Sequence, residues 1–117
     1  MTDIVERYLD CWNTTDAQAG QELLASTFQS DAEYVDPLVS TTGLDELDAA
    51  ISGVHSQFPG FVFTRFGELD AHHDVARFGW GLGPAGAEPL VIGFDVVTTA
   101  EDGRISKVAG FLDRVPA

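Results

Sequence analysis

The sequence predicts a single α+β domain over residues 1–117, with helices in the first half and strands in the second. Before residue 60, apolar residues recur at helical spacing in three segments. After residue 60, segments rich in β-branched and aromatic residues alternate with turns that contain glycine, proline or aspartate. Helices followed by an antiparallel meander favour a layered fold. We therefore expect a cone-shaped, curved antiparallel sheet wrapped around a long third helix, with two further N-terminal helices.

The first two helices are recognised by their ends. Helix one is expected to start near Asp3 and to end at Asn13-Thr14. Thr15, with Gln18 three residues later, reads as the capping box of helix two. The apolar stripe of helix two extends as far as Phe28. This pattern predicts two short helices joined by a tight connection.

The third helix has the clearest apolar stripe. It follows Thr42-Gly43 and stops at Pro59-Gly60. Between the second and third helices, residues 32–37 form a short extended piece, because Pro37 holds Asp36 away from the α region. The stripe residues recur at intervals of three and four and share one face: Leu44, Leu47, Ile51, Val54 and Phe58.

Four strands are expected in the second half, over residues 61–66, 75–82, 90–99 and 104–112. Glycines at positions 79, 81 and 93 would permit strong bending. Residues 90–97 are apolar on both faces of their strand, so one face can cover a cavity while the other needs a second cover. A second subunit is the simplest cover, and we expect a homodimer.

The negative charge disfavours several classes of partner. The net charge is −13, and residues 1–48 hold eleven acids against the single base Arg7. Residues 49–117 hold eight acids against five bases. A field of this sign repels phosphate backbones and anionic membrane surfaces. We expect no nucleic-acid partner and no membrane partner, and the acidity also favours solubility.

Cysteine usage and the N-terminus suggest a cytoplasmic location. Cys11 is the only cysteine, so no internal disulfide can form, which agrees with a reducing compartment. Residues 1–6 lack the basic flank and apolar run of a secretory signal. No apolar stretch approaches the ~18–20 residues that span a bilayer.

Asp95 is the sharpest anomaly in the sequence. It stands in an apolar strand between Phe94 and Val96, and a buried lone carboxylate is unfavourable. One interpretation is a carboxylate at a strand edge, or one bonded to a neighbouring chain. The other is an acid inside a pocket that keeps its proton and donates a hydrogen bond.

Asp36 and Tyr8 also have two interpretations each. Asp36 is either a turn carboxylate that accepts a backbone N–H or a general base at the mouth of a cavity. Tyr8 lies on the buried stripe of the first helix. Its hydroxyl either reaches a backbone group in the core or stabilises a developing oxyanion.

Further residues are candidates for binding a ligand or for plain packing. His55, beside the third stripe, either is half-buried or contacts the ligand. Arg77 and Trp80 lie on opposite faces of their strand because their spacing is odd. His72-His73 sits at a turn, where adjacent residues point apart, so no metal site is expected. The ligand-binding candidates are Trp12, Phe28, His55, Phe58 and Trp80.

Several segments resemble known families. Arg7-Tyr8, residues 34–37 (Tyr-Val-Asp-Pro) and residues 93–96 (Gly-Phe-Asp-Val) are similar to the bacterial ketosteroid isomerases, which have the nuclear transport factor 2-like, or cystatin-like, fold. Order and approximate spacing match along nearly the whole chain. The ending, residues 102–105 and 110–113, also resembles the SnoaL-like proteins, a branch of the same fold that includes polyketide cyclases.

The resemblance implies residue roles. It places Asp36 where the isomerases have their proton-shuttling base, Tyr8 where they have the tyrosine of the oxyanion hole, and Asp95 where they have a protonated aspartic acid. It implies proton transfer between carbons through a dienolate, with no metal or cofactor. The chain departs from the isomerases at Ile51, which stands where they carry a further tyrosine.

Two hypotheses follow from the sequence. The first is an acid–base enzyme acting on an apolar carbonyl compound, as an isomerase or a cyclase, with Asp36 as base and with Tyr8 and Asp95 as oxyanion donors. The second is a non-catalytic module of the same fold that binds a small molecule or acts as a dimeric interaction partner. The enzyme requires the three side chains at one cavity, whereas the module requires the cavity alone.

Overall fold

A computed structural model describes residues 2–116, which form three helices and six strands. In chain order these are α1 (Thr2–Asn13), α2 (Ala17–Thr27), β1 (Phe28–Val35), β2 (Ser40–Thr42), α3 (Leu44–Gln57), β3 (Phe61–His72), β4 (Val75–Pro84), β5 (Val91–Thr99) and β6 (Ile105–Arg114). The expected order, helices first and a meander after them, is confirmed.

The start and end of α2 differ from the sequence prediction. Asp16, not Thr15, is the N-cap, since its carboxylate accepts the backbone N–H of Ala19 at 2.9 Å. Phe28 does not extend the helix; its backbone is extended and it begins β1. The side chain of Phe28 is fully buried, so core packing rather than helical periodicity determines where it lies.

The six strands form one curved, unclosed sheet in the order β2-β1-β6-β5-β4-β3. Strands β3 to β6 are the expected antiparallel meander. The sheet as a whole is mixed, however, because β1 pairs in parallel with β6. The short β2, which was not predicted, pairs antiparallel with β1. The extended piece expected at residues 32–37 overlaps the end of β1, but the polar residues at 29–31 hid the start of this strand, and its place in the sheet was missed.

The helices cover one face of this sheet. α1 packs against β3, and α3 packs against β1 and β2. Leu47 and Ile51 of the predicted stripe are buried in the core, with Leu44, Val54 and Phe58 partly buried beside it. None of the helices between residues 2 and 116 combines the length and the apolar character that crossing a bilayer would take.

Strand β5 has two distinct faces. Its inner positions are buried and its outer positions are half-buried. Asp95 is on the inner face, where its neighbours across the sheet are Phe78 on β4 and Gly110 on β6. The meander therefore carries this carboxyl beneath the helices.

The outer face of the sheet carries a row of phenylalanines. Phe66, Gly79, Phe94 and Phe111 are consecutive register partners across β3, β4, β5 and β6. Phe66 is 48% exposed and Phe111 is 55% exposed. A hollow in this face is lined by Phe66, Gly79 and Phe94 among others. Within residues 2–116, no helix packs over this row.

Candidate functional site

A cavity of about 260 Å³ lies between the helices and the inner face of the sheet. Residues of α1, α3 and every strand except β2 line it, and most of them are apolar or aromatic. The lining side chains that carry oxygen are Tyr8, Tyr34, Asp36, Gln57 and Asp95. All three residues predicted to carry chemistry thus line one cavity, which is open to solvent on the side of the exposed Leu38 and Val115.

Tyr8 and Asp95 form a buried hydrogen-bonded pair in this cavity. The Tyr8 hydroxyl donates to Oδ2 of Asp95 at 2.7 Å. The rings of Phe28 and Phe78 pack around Tyr8, with centroids 6.0 and 5.8 Å away; the first is tilted and the second is edge-on. Burial, followed by the charge of Asp95, raises the pKa of Tyr8 well above its ordinary value. The hydroxyl is therefore a proton donor throughout the neutral range.

The carboxyl group of Asp95 is buried, which changes its pKa. Its burial raises the pKa of Asp95 to about 6, while the Tyr8 hydrogen bond opposes that rise. Nearby Asp36 raises the pKa further by like-charge repulsion. The second oxygen, Oδ1, is buried and has no hydrogen-bond partner among residues 2–116. Asp95 can therefore take up a proton at an acidity close to neutral.

Two indole N–H groups lie beside this pair. Trp80 lies close enough to Asp95 to lower the pKa of its carboxyl, and Trp12 has the same effect on Tyr8. Neither indole N–H reaches an acceptor at hydrogen-bond geometry within the described part of the chain. Both side chains line the cavity. They are donors available for rearrangement when a polar ligand atom enters.

Asp36 and Tyr34 form a second hydrogen-bonded pair on the cavity wall. The Tyr34 hydroxyl donates to Oδ2 of Asp36 at 2.6 Å. The other oxygen, Oδ1, accepts the backbone N–H groups of Leu38 and Val39 at 2.8 and 2.9 Å. Asp36 is therefore a turn carboxylate, as one sequence interpretation expected, and it also lines the cavity.

The sequence reasoning left out several lining residues, and Tyr34 is the one among them that bonds to a predicted site residue. On β1, Ala32 and Tyr34 are buried while Glu33 and Val35 are exposed. This alternation was the signal that could have assigned Tyr34 to the inner face. Tyr34 is thus a second tyrosine at the cavity, and it comes from β1. Ile51 on α3, which stands where the isomerases have a further tyrosine, packs in the core.

Two glycines make room for the site. A Cβ on Gly93 would overlap the indole ring of its register partner Trp80. A Cβ on Gly110 would lie 2.7 Å from Oδ1 of Asp95 and 3.4 Å from the Cβ of Asp36. Both carboxyl side chains thus lie next to Gly110. Glycine at these positions lets the sheet come close to the ring and to both acids.

The five residues expected to bind a ligand divide into two groups. Trp12, Phe58 and Trp80 line the cavity, while Phe28 and His55 do not. Phe28 is fully buried behind Tyr8 as a core residue. Nε2 of His55 donates to the backbone oxygen of Trp12 at 2.6 Å, so His55 holds the end of α1 from outside the cavity.

The polar turn between β3 and β4 takes no part in this site. His72 and His73 are exposed and contact each other through Nδ1 atoms 3.0 Å apart. Arg77 is paired at 3.4 Å with Asp70 on the outer surface. Across residues 2–116, no group of three or more metal-binding side chains is assembled.

The chain belongs to the SnoaL-like family, whose domain matches residues 5–108. Its structure is similar to that of a candidate isomerase of this family from Agrobacterium tumefaciens strain C58, with a TM-score of 0.90 and 34% sequence identity over 96% of each chain.

More distant structures show the same fold. A candidate polyketide cyclase from Sinorhizobium meliloti has a TM-score of 0.71 and 22% identity over 92% of this chain and 93% of the other. An NTF2-like protein of unknown function from Exiguobacterium sp. 255-15 has a TM-score of 0.74 and 21% identity over 94% and 98%. No curated protein is similar enough to count as a match.

Proposed function

We propose that this protein is an acid–base enzyme acting on an apolar carbonyl compound, as an isomerase of the ketosteroid type or as a cyclase. One observation carries the proposal: two tyrosine–aspartate pairs, Tyr8–Asp95 and Tyr34–Asp36, line one largely apolar cavity. The 34% identical relative, named as a candidate isomerase, supports the same class of reaction.

Asp36 is the base in this proposal. Its carboxylate takes a proton from the carbon next to the carbonyl, and the C–H electron pair moves into a dienolate whose charge rests on oxygen. Asp36 then returns the proton to a different carbon, which moves the double bond and leaves the enzyme unchanged. In a cyclase, the same carbanion would attack a second carbonyl group instead.

Tyr8 and Asp95 hold the oxygen of the dienolate. The Tyr8 hydroxyl can turn from Asp95 towards that oxygen, because a hydroxyl hydrogen rotates freely. Protonated Asp95 is the second donor. Since burial raises the pKa of Asp95 to about 6, this donor is populated at mildly acidic pH and declines as the pH rises. Activity should therefore fall through neutral pH.

A non-catalytic binding module is the second candidate. The three hydrogen bonds that Asp36 accepts favour it, because they suffice to explain the residue as a stabiliser of the turn at positions 36–39. Under this candidate, the cavity binds its ligand without proton transfer. Removing the carboxylate of Asp36 would then alter the local turn and leave no reaction to lose.

An isomerisation assay separates the two candidates. A β,γ-unsaturated ketone is incubated with native protein, Asp36→Asn and Asp31→Asn, and the absorbance of the conjugated enone is followed. Asp31 is exposed on β1, which makes it a matched control. We expect Asp36→Asn to lose at least about 100-fold in rate and the control to lose nothing. Equal rates in all three proteins would remove the acid–base proposal.

We also propose a homodimer formed through the outer face of the sheet. The phenylalanine row, Phe66, Phe94 and Phe111 with Gly79 between the first two, supports it. An exposed aromatic row with a hollow in it can interlock with a second copy of itself. Such contact would complete the burial of the outer face of β5, which is already half-buried.

A further inference from the structure

Among the described residues that line the cavity, the side chains that can carry charge near neutral pH are all carboxyl groups. Two carboxyl groups, from Asp36 and Asp95, belong to the lining, and among residues 2–116 no lysine, arginine or histidine does. The chain as a whole carries −13. An anion that enters this space meets negative charge at short range in a medium that screens it poorly, whereas a cation is attracted.

Asp95 also provides a hydrogen-bond acceptor that has no donor among the described residues. Oδ2 accepts the Tyr8 hydroxyl, but Oδ1 is buried without a partner among the described residues. Asp95 is 3% exposed, so water does not compensate this oxygen from the surface. A buried acceptor that is left unsatisfied is unfavourable, because it has lost its hydrogen bonds to water without gaining a new one. An N–H group on a ligand would satisfy it.

Aromatic rings form a continuous wall next to these carboxyls. Trp12 packs on Tyr34 and Phe63 with ring centroids 5.5 and 5.4 Å apart, and Phe63 meets Trp80 edge-on at 5.3 Å. All four rings line the cavity. Faces of such rings attract cations, with tryptophan the strongest, and their surfaces suit a flat ligand ring.

We infer that the cavity binds a flat aromatic or conjugated ligand carrying a protonated amine, with the ammonium group at Asp36 and Asp95 and the ring against the aromatic wall. The two side chains are neighbours, because Oδ1 of Asp95 and the Cβ of Asp36 lie 2.7 and 3.4 Å from the place that a Cβ on Gly110 would take. The cavity therefore ranks ligands by charge: cation first, neutral second, anion last. An ammonium ligand pairs with Asp95 in its ionised form, which prevails above its pKa of about 6, whereas the carbonyl chemistry proposed above uses the protonated form.

Three naphthalenes of matched shape test the ranking on the whole native chain. Naphthylmethylammonium, acetylnaphthalene and naphthoate, substituted at the same ring position, are titrated at neutral pH by calorimetry. We expect the ammonium compound to bind at least about tenfold more tightly than the ketone. The naphthoate should bind most weakly. Equal or tighter binding of the ketone or the naphthoate would overturn the inference.

Salt and two variants locate the source of the preference. About 1 M salt shortens the screening length to about 3 Å, which removes the field of the surface charges and leaves contacts inside the cavity. The ranking should persist in salt, and a ranking that vanishes there contradicts a cavity origin. In Asp36→Asn/Asp95→Asn the three affinities should converge, while Asp31→Asn should keep the native order. Binding is measured without turnover, so a failed isomerisation assay leaves this result standing, and the reverse also holds.

Discussion

The Tyr8 hydroxyl on α1 donates a 2.7 Å hydrogen bond to Oδ2 of Asp95, 87 positions later in the middle of β5. Tyr8 is 1% exposed and Asp95 is 3% exposed. Because the other carboxyl oxygen is unpartnered within residues 2–116, this bond provides most of the polar compensation for the buried acid. The bond also ties the first helix to the sheet beneath the cavity.

Tyr8→Phe should perturb Asp95 directly. Burial raises the pKa of Asp95 to about 6 and the Tyr8 bond opposes the rise, so losing the hydroxyl should raise that pKa further. The free energy of unfolding should fall by about 1–3 kcal/mol, because a buried acceptor loses its donor. Carboxyl-carbon NMR titration and urea unfolding measure the two effects. Tyr34→Phe is the control, and the same Asp95 pKa in both variants would contradict this assignment.

Asp95 should make stability depend on pH. Its pKa is about 6 in the folded protein and 3.8 without burial, so the folded state binds this proton more tightly. Its stabilising contribution is complete below about pH 4 and is lost as the pH rises through about 6. The difference corresponds to roughly 3 kcal/mol. Asp95→Asn, which cannot titrate, should therefore gain stability relative to native protein between about pH 4 and pH 7 in urea unfolding. A constant difference between the two proteins over this range would refute the expectation.

Tyr34→Phe should weaken catalysis through Asp36. The 2.6 Å hydrogen bond holds one carboxylate oxygen, so its loss lets the base turn away from the substrate. If the proposed reaction is right, kcat should fall by about tenfold or more. In an Asp36→Asn background, the same change should have no further effect. Thr41→Val is the control, because the Thr41 hydroxyl donates to the backbone oxygen of Tyr34 and not to Asp36. Equal kcat losses in both backgrounds would contradict a role through Asp36.

Gly93→Ala should displace Trp80 from the cavity wall. The new Cβ would overlap the indole ring, and overpacking of this kind lowers stability by about 1–3 kcal/mol. Tryptophan fluorescence and thermal unfolding report the change. At Gly53 on α3, a Cβ would meet nothing within 4 Å, so Gly53→Ala should add about 0.5–1 kcal/mol of stability. Native-like fluorescence and stability in Gly93→Ala would show that the ring does not depend on this glycine.

Phe111→Asp should break the proposed homodimer. It places a charge in the exposed aromatic row, where a second copy would have to bury it. Analytical ultracentrifugation should show a dimer for native protein and a monomer for the variant. Leu38→Asp alters another exposed apolar residue, at 79% exposure, which lines the cavity on the opposite side of the sheet from this row, and this variant should stay dimeric. A monomeric native protein would end the proposal.

Local sequence patterns predicted most of the fold. The α3 stripe, the turn before β6 and the two-faced character of β5 depend on spacing within short segments, and the structure agrees with them. Strand β2 was missed because its three residues are too few to show an alternating pattern. The parallel pairing of β1 with β6 was missed because it joins strands far apart in the chain, which no pattern within one segment reveals. The cap of α2 was misplaced by one residue, because two adjacent side chains could each serve.

The sequence by itself determined that Asp95 is out of place in an apolar strand, that Asp36 precedes a proline and that Tyr8 lies on the buried stripe of the first helix. Only the tertiary structure decided what each contacts: Tyr8 bonds to Asp95, Asp36 bonds to Tyr34, and Phe28 and His55 stay outside the cavity. The physical reason is that contacts across elements depend on sheet order and register. These are set by the packing of the whole chain, which periodicity within one segment does not encode.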